Sequence, residues 1–181
     1  MTLQKDSAAK QKLLSIVVPI YNDAPCVEPF LDRVLPILED IRKTFSYAHE
    51  ILFVMDPSSD ETEQKILSVR KNNEAVKLII LSRRFGQQPA ILAGLFHCRG
   101  DICIILDVDL QDPPELMKQM VQKHVEENYN VVYAIRRKRH KDEPLMKRVL
   151  TEMGYTLMNK LSSIDIPRNV GDFRLVDRRV I

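Results

Sequence analysis

The chain has 181 residues, of which 45% are hydrophobic and 29% are charged. This balance is typical of a folded globular protein and excludes a disordered or fibrous chain, and the length favours one domain over two. The 27 basic and 25 acidic residues leave a formal charge of +2, so total charge indicates neither nucleic acid nor membrane as a partner. The three cysteines lack metal-ligand spacing, which predicts buried, reduced thiols in a cytoplasmic protein.

The N-terminal residues 1–12 are polar and rich in lysine and glutamine. No apolar stretch long enough for a signal peptide or a membrane span follows them. We therefore expect a short N-terminal extension, a single domain over residues 13–181, and no transmembrane segment in this chain.

Apolar strands alternate with helices along this domain. The predicted strands cover residues 13–20, 49–55, 76–82, 102–106 and 130–135. The predicted helices cover 27–45 with a kink or break at Pro36, 58–71 from a Ser58 N-cap, 88–98, a segment that starts at Pro113, and 144–162. This order predicts an α/β fold with a mostly parallel, Rossmann-like sheet and helices on both faces.

Polar residues follow three of these strands at the point where each strand ends. Tyr21 and Asn22 follow the first strand, Asp56 the second, and Asp107 and Asp109 the fourth. Ligands bind at the carboxyl ends of the strands in open sheets of this kind. We expect these side chains to meet at one site.

The acidic run Asp107-Val108-Asp109-Leu110-Gln111-Asp112 directly follows an apolar strand. Two carboxylates in such a place need a partner, and Mg²⁺ or Mn²⁺ prefers carboxylate and amide oxygens, here from Asp107, Asp109 and Gln111. The alternative is that the aspartates only form turns and cap the helix that starts at Pro113. The run by itself does not separate the two interpretations.

Five segments in order carry a resemblance to a known family. They are Val-Pro-Ile-Tyr-Asn at 18–22, Met-Asp-Pro-Ser-Ser-Asp at 55–60, Leu-Ser-Arg-Arg-Phe-Gly at 81–86, Asp-Val-Asp-Leu-Gln-Asp-Pro-Pro-Glu at 107–115, and Asn-Val-Gly-Asp-Phe-Arg-Leu at 169–175. Together they resemble glycosyltransferase family 2, in the polyprenyl-phosphate branch that includes dolichyl-phosphate mannose synthases and undecaprenyl-phosphate glucosyltransferases. Met55, Pro57 and Arg84 depart from the family pattern, where Arg84 stands in place of an asparagine.

The resemblance implies a GT-A fold and an inverting transfer of sugar from a nucleotide diphosphate sugar, a UDP-hexose in the first instance, to polyprenyl phosphate. It implies a Mg²⁺ or Mn²⁺ ion on Asp107, Asp109 and Gln111, and catalytic roles for Asp109 and Asp172. The implied donor-binding residues are Pro19, Tyr21, Asn22, Asp56, Arg83 and Asp107. The implied acceptor-phosphate residues are Arg136, Arg148 and Arg174, and the last of the five segments is implied to be an acceptor-side loop.

The resemblance also bears on location and on other functions. The enzyme would act at the cytoplasmic face of the cell membrane, with self-association as a further expectation, and residues 13–181 would end before the interfacial and membrane helices of relatives. Two alternatives are a transferase that acts on a saccharide hydroxyl and a non-catalytic domain that binds nucleotide sugars. A nucleic-acid-binding role would rest on the basic run 136–141 alone, which lacks interleaved aromatic residues, so nucleic acid is not an expected partner.

Overall fold

The computed structural model describes residues 11–135 and 170–181. The chain forms two compact units. The first consists of Met1–Val132 together with Asp172–Ile181, and the second of Tyr133–Gly171. The predicted helix at 144–162 and the residues Arg136 and Arg148 lie outside the described residues.

Six strands form one sheet in the order β3-β2-β1-β4-β6-β5. Their bounds are β1 Lys12–Ile20, β2 Tyr47–Met55, β3 Val76–Ile80, β4 Ile102–Ile105, β5 Val131–Ile135 and β6 Val170–Asp177. The strands β3, β2, β1 and β4 run parallel, and β6 pairs antiparallel with β4. The mostly parallel sheet is confirmed.

The strand β6 corrects the sequence interpretation, which gave this segment as a loop. Phe173 and Leu175 are buried and alternate with the half-buried Asp172 and Arg174, the pattern of a strand with one face on the core. Because these two polar residues interrupt the apolar run, the sequence pattern of this segment is weaker than that of the parallel strands, and the strand was not predicted.

Four α-helices cover the sheet within the described residues: α1 Val27–Phe45, α2 Thr62–Asn72, α3 Gln87–His97 and α4 Leu116–Glu127. On β2, the ring of Phe53 packs edge-on against Phe30 of α1, with ring centroids 5.8 Å apart. The next residue, Val54, packs in a buried cluster with Ala90 and Ile91 of α3. Successive strand residues point to opposite faces, so α1 and α3 lie on opposite faces of the sheet, as predicted.

Two predicted helix starts are wrong, and the predicted helix at 27–45 shows no break at Pro36. The helix α1 continues through Pro36 without a break, because the buried Val34 and Leu38 on either side hold the helix against the core. The helix α2 begins at Thr62, and Ser58 does not cap it. The helix α4 begins at Leu116, after a turn in which the prolines accept hydrogen bonds from Leu116 and from the residue after it.

Two other expectations are tested by the described residues. All three cysteines are free thiols; Cys98 and Cys103 are buried, whereas Cys26 is only half-buried. None of the described helices is long and apolar enough to cross a bilayer.

Candidate active site

A cleft of about 300 Å³ opens at the carboxyl ends of β1, β2 and β4. Its lining residues are Pro19, Ile20, Tyr21, Asp23, Asp56, Arg84, Gly86, Gln87, Ala90, Asp107, Val108 and Asp109. Five of the predicted site residues are among them: Pro19, Tyr21, Asp56, Asp107 and Asp109. The parallel sheet brings these residues together because the three strands end at the same edge.

Asn22 joins the turn after β1 to the turn after β2. Its backbone lies in the left-handed region at φ 53°, which asparagine tolerates better than most residues. The backbone N–H of Asn22 donates to Ser58 Oγ at 3.1 Å, and its side-chain oxygen accepts from the backbone N–H of Ser59 at 2.8 Å. Asn22 is not among the lining residues. Its hydrogen bonds instead connect the turn that carries Tyr21 to the turn after β2.

Asp56 is a buried carboxylate, 3% exposed, immediately after β2. Its two oxygens accept the backbone N–H groups of Phe85 at 3.0 Å and of Gly86 at 2.8 Å. Gly86 has φ 93°, a conformation that side chains rarely adopt. Asp56 therefore holds the loop that leads into α3 and also lines the cleft.

Arg83 and Arg84 take different positions in this loop. The guanidinium of Arg84 lies 4.2 Å from the ring centre of Tyr21, and Arg84 lines the cleft. The guanidinium of Arg83 lies 4.2 Å from the ring centre of Phe85, and Arg83 is not among the lining residues. The resemblance named Arg83 as the donor-binding residue, whereas the structure brings Arg84 to the cleft.

The acidic run forms a tight turn after β4. The backbone N–H of Gln111 donates to Asp109 Oδ1 at 3.1 Å, and Leu110 between them has φ 57°. The turn-forming interpretation therefore applies to one oxygen of Asp109. The N-cap residue of α4 is Glu115, whose side chain makes no cap bond. The side chain of Gln111, the third predicted metal ligand, is not among the groups that line the cleft.

Asp23 is a cleft residue that the sequence analysis did not single out. Burial raises the pKa of its carboxyl; a backbone hydrogen bond from Tyr21 lowers the pKa, and the negative charges of Asp109 and Asp60 raise it. Asp23 and Asp109 are thus close enough to repel each other across the cleft. Its place directly after Tyr21-Asn22 was the available signal, but that position is also typical of a simple turn residue.

Two glutamines at the start of α3 connect β4 to β6. The side-chain amide of Gln87 donates to Asp107 at 3.0 Å and to Asp172 at 3.1 Å. The amide of Gln88 donates to both carboxylate oxygens of Asp172, at 3.1 and 3.0 Å. The structure thereby brings the predicted residue Asp172 beside Asp107, while Arg174 lies two positions further along β6, opposite Ile105 of β4.

The donor groups of the cleft fit a divalent cation that is shared with a ligand. The described residues contain no group of three or more His, Cys, Asp or Glu side chains placed to enclose a metal. Mg²⁺ and related ions are commonly held by one or two carboxylates, with water and substrate phosphate as the other ligands. Asp107 and Asp109 supply that number of carboxylates at the cleft wall.

Comparison with known proteins gives one consistent result. Residues 15–181 match the family model described as glycosyl transferase family 2. The chain is 39% identical over 168 residues to a glycosyltransferase of Synechocystis sp.. The aligned region covers 93% of this chain and 51% of that relative. It is 38% identical over 168 residues to a prophage bactoprenol glucosyl transferase homolog of Escherichia coli, with 93% and 53% covered. The chain therefore spans about half the length of these relatives.

A solved structure supports the fold. Glucosyl-3-phosphoglycerate synthase from Mycobacterium tuberculosis, in complex with Mn²⁺, UDP-glucose and phosphoglyceric acid, superposes with a TM-score of 0.66. The match covers 93% of this chain and 57% of that one at 18% identity. At this level of identity the likeness by itself shows a shared GT-A type fold.

Proposed function

The chain belongs to glycosyltransferase family 2, and from that premise we propose that its cleft binds a nucleotide diphosphate sugar, a UDP-hexose, for transfer to polyprenyl phosphate with inversion. The observation that carries the proposal is the meeting of Tyr21, Asp56, Asp107 and Asp109 in one cleft at the carboxyl edge of the sheet. The bactoprenol glucosyl transferase name of a relative supports the acceptor, and the UDP-glucose bound by the structural neighbour supports the donor.

The donor would lie with its nucleoside along Pro19, Tyr21 and Asp56 and with its diphosphate towards Asp107 and Asp109. A divalent cation held by these two aspartates would supply Lewis-acid stabilisation of the charge on the leaving diphosphate. The Mn²⁺ in the structural neighbour supports such an ion. The backbone N–H of Gln111 donates to Oδ1 of Asp109 and holds this side chain in the turn. The other carboxylate oxygen of Asp109 would remain for the cation.

Asp172 would act on the sugar or the acceptor and not as a strong base. A phosphate monoester has a second pKa of about 6 and is already largely ionised at neutral pH, so its oxygen can attack without help from a base. Both oxygens of Asp172 accept amide N–H groups from Gln87 and Gln88, which fixes the carboxylate in place. A fixed negative charge there would stabilise the positive charge that develops on the sugar.

The acceptor phosphate would be bound by arginines, since a guanidinium group pairs with phosphate in a bidentate way. Arg174 on β6 is two positions from Asp172 on the same side of the strand. Arg136 and Arg148, which lie outside the described residues, are proposed for the same role. Because polyprenyl phosphate is a membrane lipid, we place the reaction at the cytoplasmic surface of the cell membrane.

The test is transfer of radiolabelled glucose from UDP-glucose to undecaprenyl phosphate in detergent, with free saccharides as competing acceptors and MnCl₂ present or replaced by EDTA. We expect a labelled lipid that forms only with the metal, and its loss in an Asp109→Asn variant. Label in the saccharide and none in the lipid would support the hydroxyl-acceptor alternative. Donor binding without any transfer would support a non-catalytic domain, and either result would contradict the proposal.

A further inference from the structure

The charged side chains that line the cleft are mostly acidic. Among its lining residues in the described part of the chain, four are carboxylates, Asp23, Asp56, Asp107 and Asp109, and Arg84 alone is a cation. A nucleoside diphosphate would bring further negative charge into this acidic cleft. One divalent cation offsets two of these charges, so a fixed positive side chain is the complement that such a ligand requires.

Arg84 is held in place at this wall. Its guanidinium stacks on the ring of Tyr21 at 4.2 Å, and Asp56 fixes the two backbone amides that follow Arg84. Arg84 is exposed and lines the cleft. Since stacking uses the face of a guanidinium and phosphate binding uses its N–H edge, the donors of Arg84 are available to a ligand.

Arg83 differs from Arg84 in its position relative to the cleft. It is the preceding residue and stacks on an aromatic ring at the same 4.2 Å distance, but that ring is Phe85 and the side chain does not line the cleft. We propose that Arg84, and not Arg83, binds the diphosphate of the nucleotide sugar. This inference rests on the proposed function, and it makes the residue that replaces the family asparagine a determinant of donor affinity.

The experiment compares three variants of the full chain: Arg84→Asn, Arg84→Lys and, as the competing assignment, Arg83→Asn. Binding of UDP, uridine, GDP and guanosine is measured in MnCl₂ by titration calorimetry, with displacement titrations for the weak ligands. Charge-assisted hydrogen bonds of this kind lead us to expect about tenfold weaker binding of the nucleoside diphosphate by Arg84→Asn. The nucleoside should bind Arg84→Asn as it binds the wild type.

The controls follow from the geometry. Arg84→Lys keeps the charge without the planar N–H edge and should lose part of the affinity. Because both arginines are exposed, thermal unfolding should show that all three variants fold. Equal losses for diphosphate and nucleoside would assign Arg84 to the base and overturn the inference, as would a larger loss in Arg83→Asn or no loss in Arg84→Asn. If the wild type binds neither nucleoside diphosphate, the proposed function itself fails.

Discussion

The buried carboxylate of Glu50 connects several segments at the end of the sheet opposite the cleft. It accepts hydrogen bonds from Ser15 Oγ at 2.6 Å and from the backbone N–H of Arg99 at 2.7 Å, and it pairs with Lys77. These partners come from β1, β3 and the connection between α3 and β4. A single side chain thus ties four segments together.

This network makes stability depend on pH in a defined direction. Burial raises the pKa of Glu50, but the bonds from Lys77, Ser15 and Arg99 together lower it below its ordinary value of 4.5. A carboxyl with a lowered pKa stabilises the folded state above its unfolded-state pKa, and this stability is lost as the pH falls through the folded-state value.

We expect Glu50→Gln to cost about 2 kcal/mol of unfolding free energy at pH 7, because a buried charge pair and its hydrogen bonds are broken. The cost should be smaller at pH 4, below the ordinary carboxyl pKa of 4.5, because protonation of Glu50 in the unfolded chain begins to remove this stabilisation there. Urea unfolding at both pH values measures it, with the exposed Glu74→Gln as the matched control. An equal cost at both pH values would rule out this account of Glu50.

Gln87 is expected to position two carboxylates of the proposed active site. Removing its amide in Gln87→Ala should lower the transfer rate by about tenfold, because Asp107 and Asp172 lose the group that fixes their separation. Gln122→Ala is the matched control, since Gln122 makes the same type of bond to Glu126 on α4. A fall in kcat with donor affinity retained is the expected pattern; equal effects of the two variants would show that Gln87 has no special role.

Single residues differ in how far the sequence could place them. Tyr21, Asp56, Asp107 and Asp109 were predictable because each lies at or shortly after the end of an apolar strand, and parallel strands share a carboxyl edge. Asp23 and Gln87 were missed because their importance comes from neighbours far away in the chain. Arg84 was named as a departure from the family pattern, but only the three-dimensional structure separates it from Arg83.

Among the elements, α3 carries the most information about how the site is built. Its first turn contacts Asp107 and Asp172, and its middle packs so closely on the sheet that only a glycine fits. A Cβ on Gly94 would overlap Cγ1 of Val17 and lie 3.0 Å from Cγ2 of Val54. The approach of α3 to β1 and β2 therefore sets where its N-terminus meets the cleft.

Gly94→Ala should destabilise the protein although alanine favours helices. The gain in helix propensity is about 1 kcal/mol, and overpacking of a rigid core costs about 1–3 kcal/mol, so we expect a net loss. Val17→Ala removes the methyl group in the way, so the double variant should be more stable than the sum of the two single losses. Chemical unfolding of the four proteins measures this, and simple additivity would exclude the proposed contact.

The elements themselves were mostly predictable where their patterns were strong. The apolar strands and the alternating helices were found, with ends displaced by a few residues. The strand β6 and the start of α2 were not, because both are decided by contacts across the fold. Asp60, for example, accepts hydrogen bonds from the backbone N–H groups of Thr62 and Ala24. It therefore connects the start of α2 to the turn after β1, whereas the sequence predicted a helix that starts at Ser58.

At the scale of the whole molecule, the sheet order explains why the site exists. The strands β1 and β4 are neighbours in the sheet although two strands and three α-helices separate them in the chain. The sheet order places Tyr21 and Asp109 on the same cleft, and the antiparallel β6 brings Asp172 to the side-chain amide of Gln87, which lines that cleft. The parallel part of this arrangement follows from alternating strands and helices, whereas the insertion of β6 does not.

The most direct test is the thermal stability of the chain with UDP-glucose in MnCl₂ or EDTA. A ligand that binds only the folded state raises its stability, so the wild type should be stabilised when sugar nucleotide and metal are both present. Asp109→Asn should lose this effect, while the exposed Asp32→Asn should keep it. An equal shift in EDTA, or a full shift in Asp109→Asn, would contradict a metal-dependent donor site at the acidic turn.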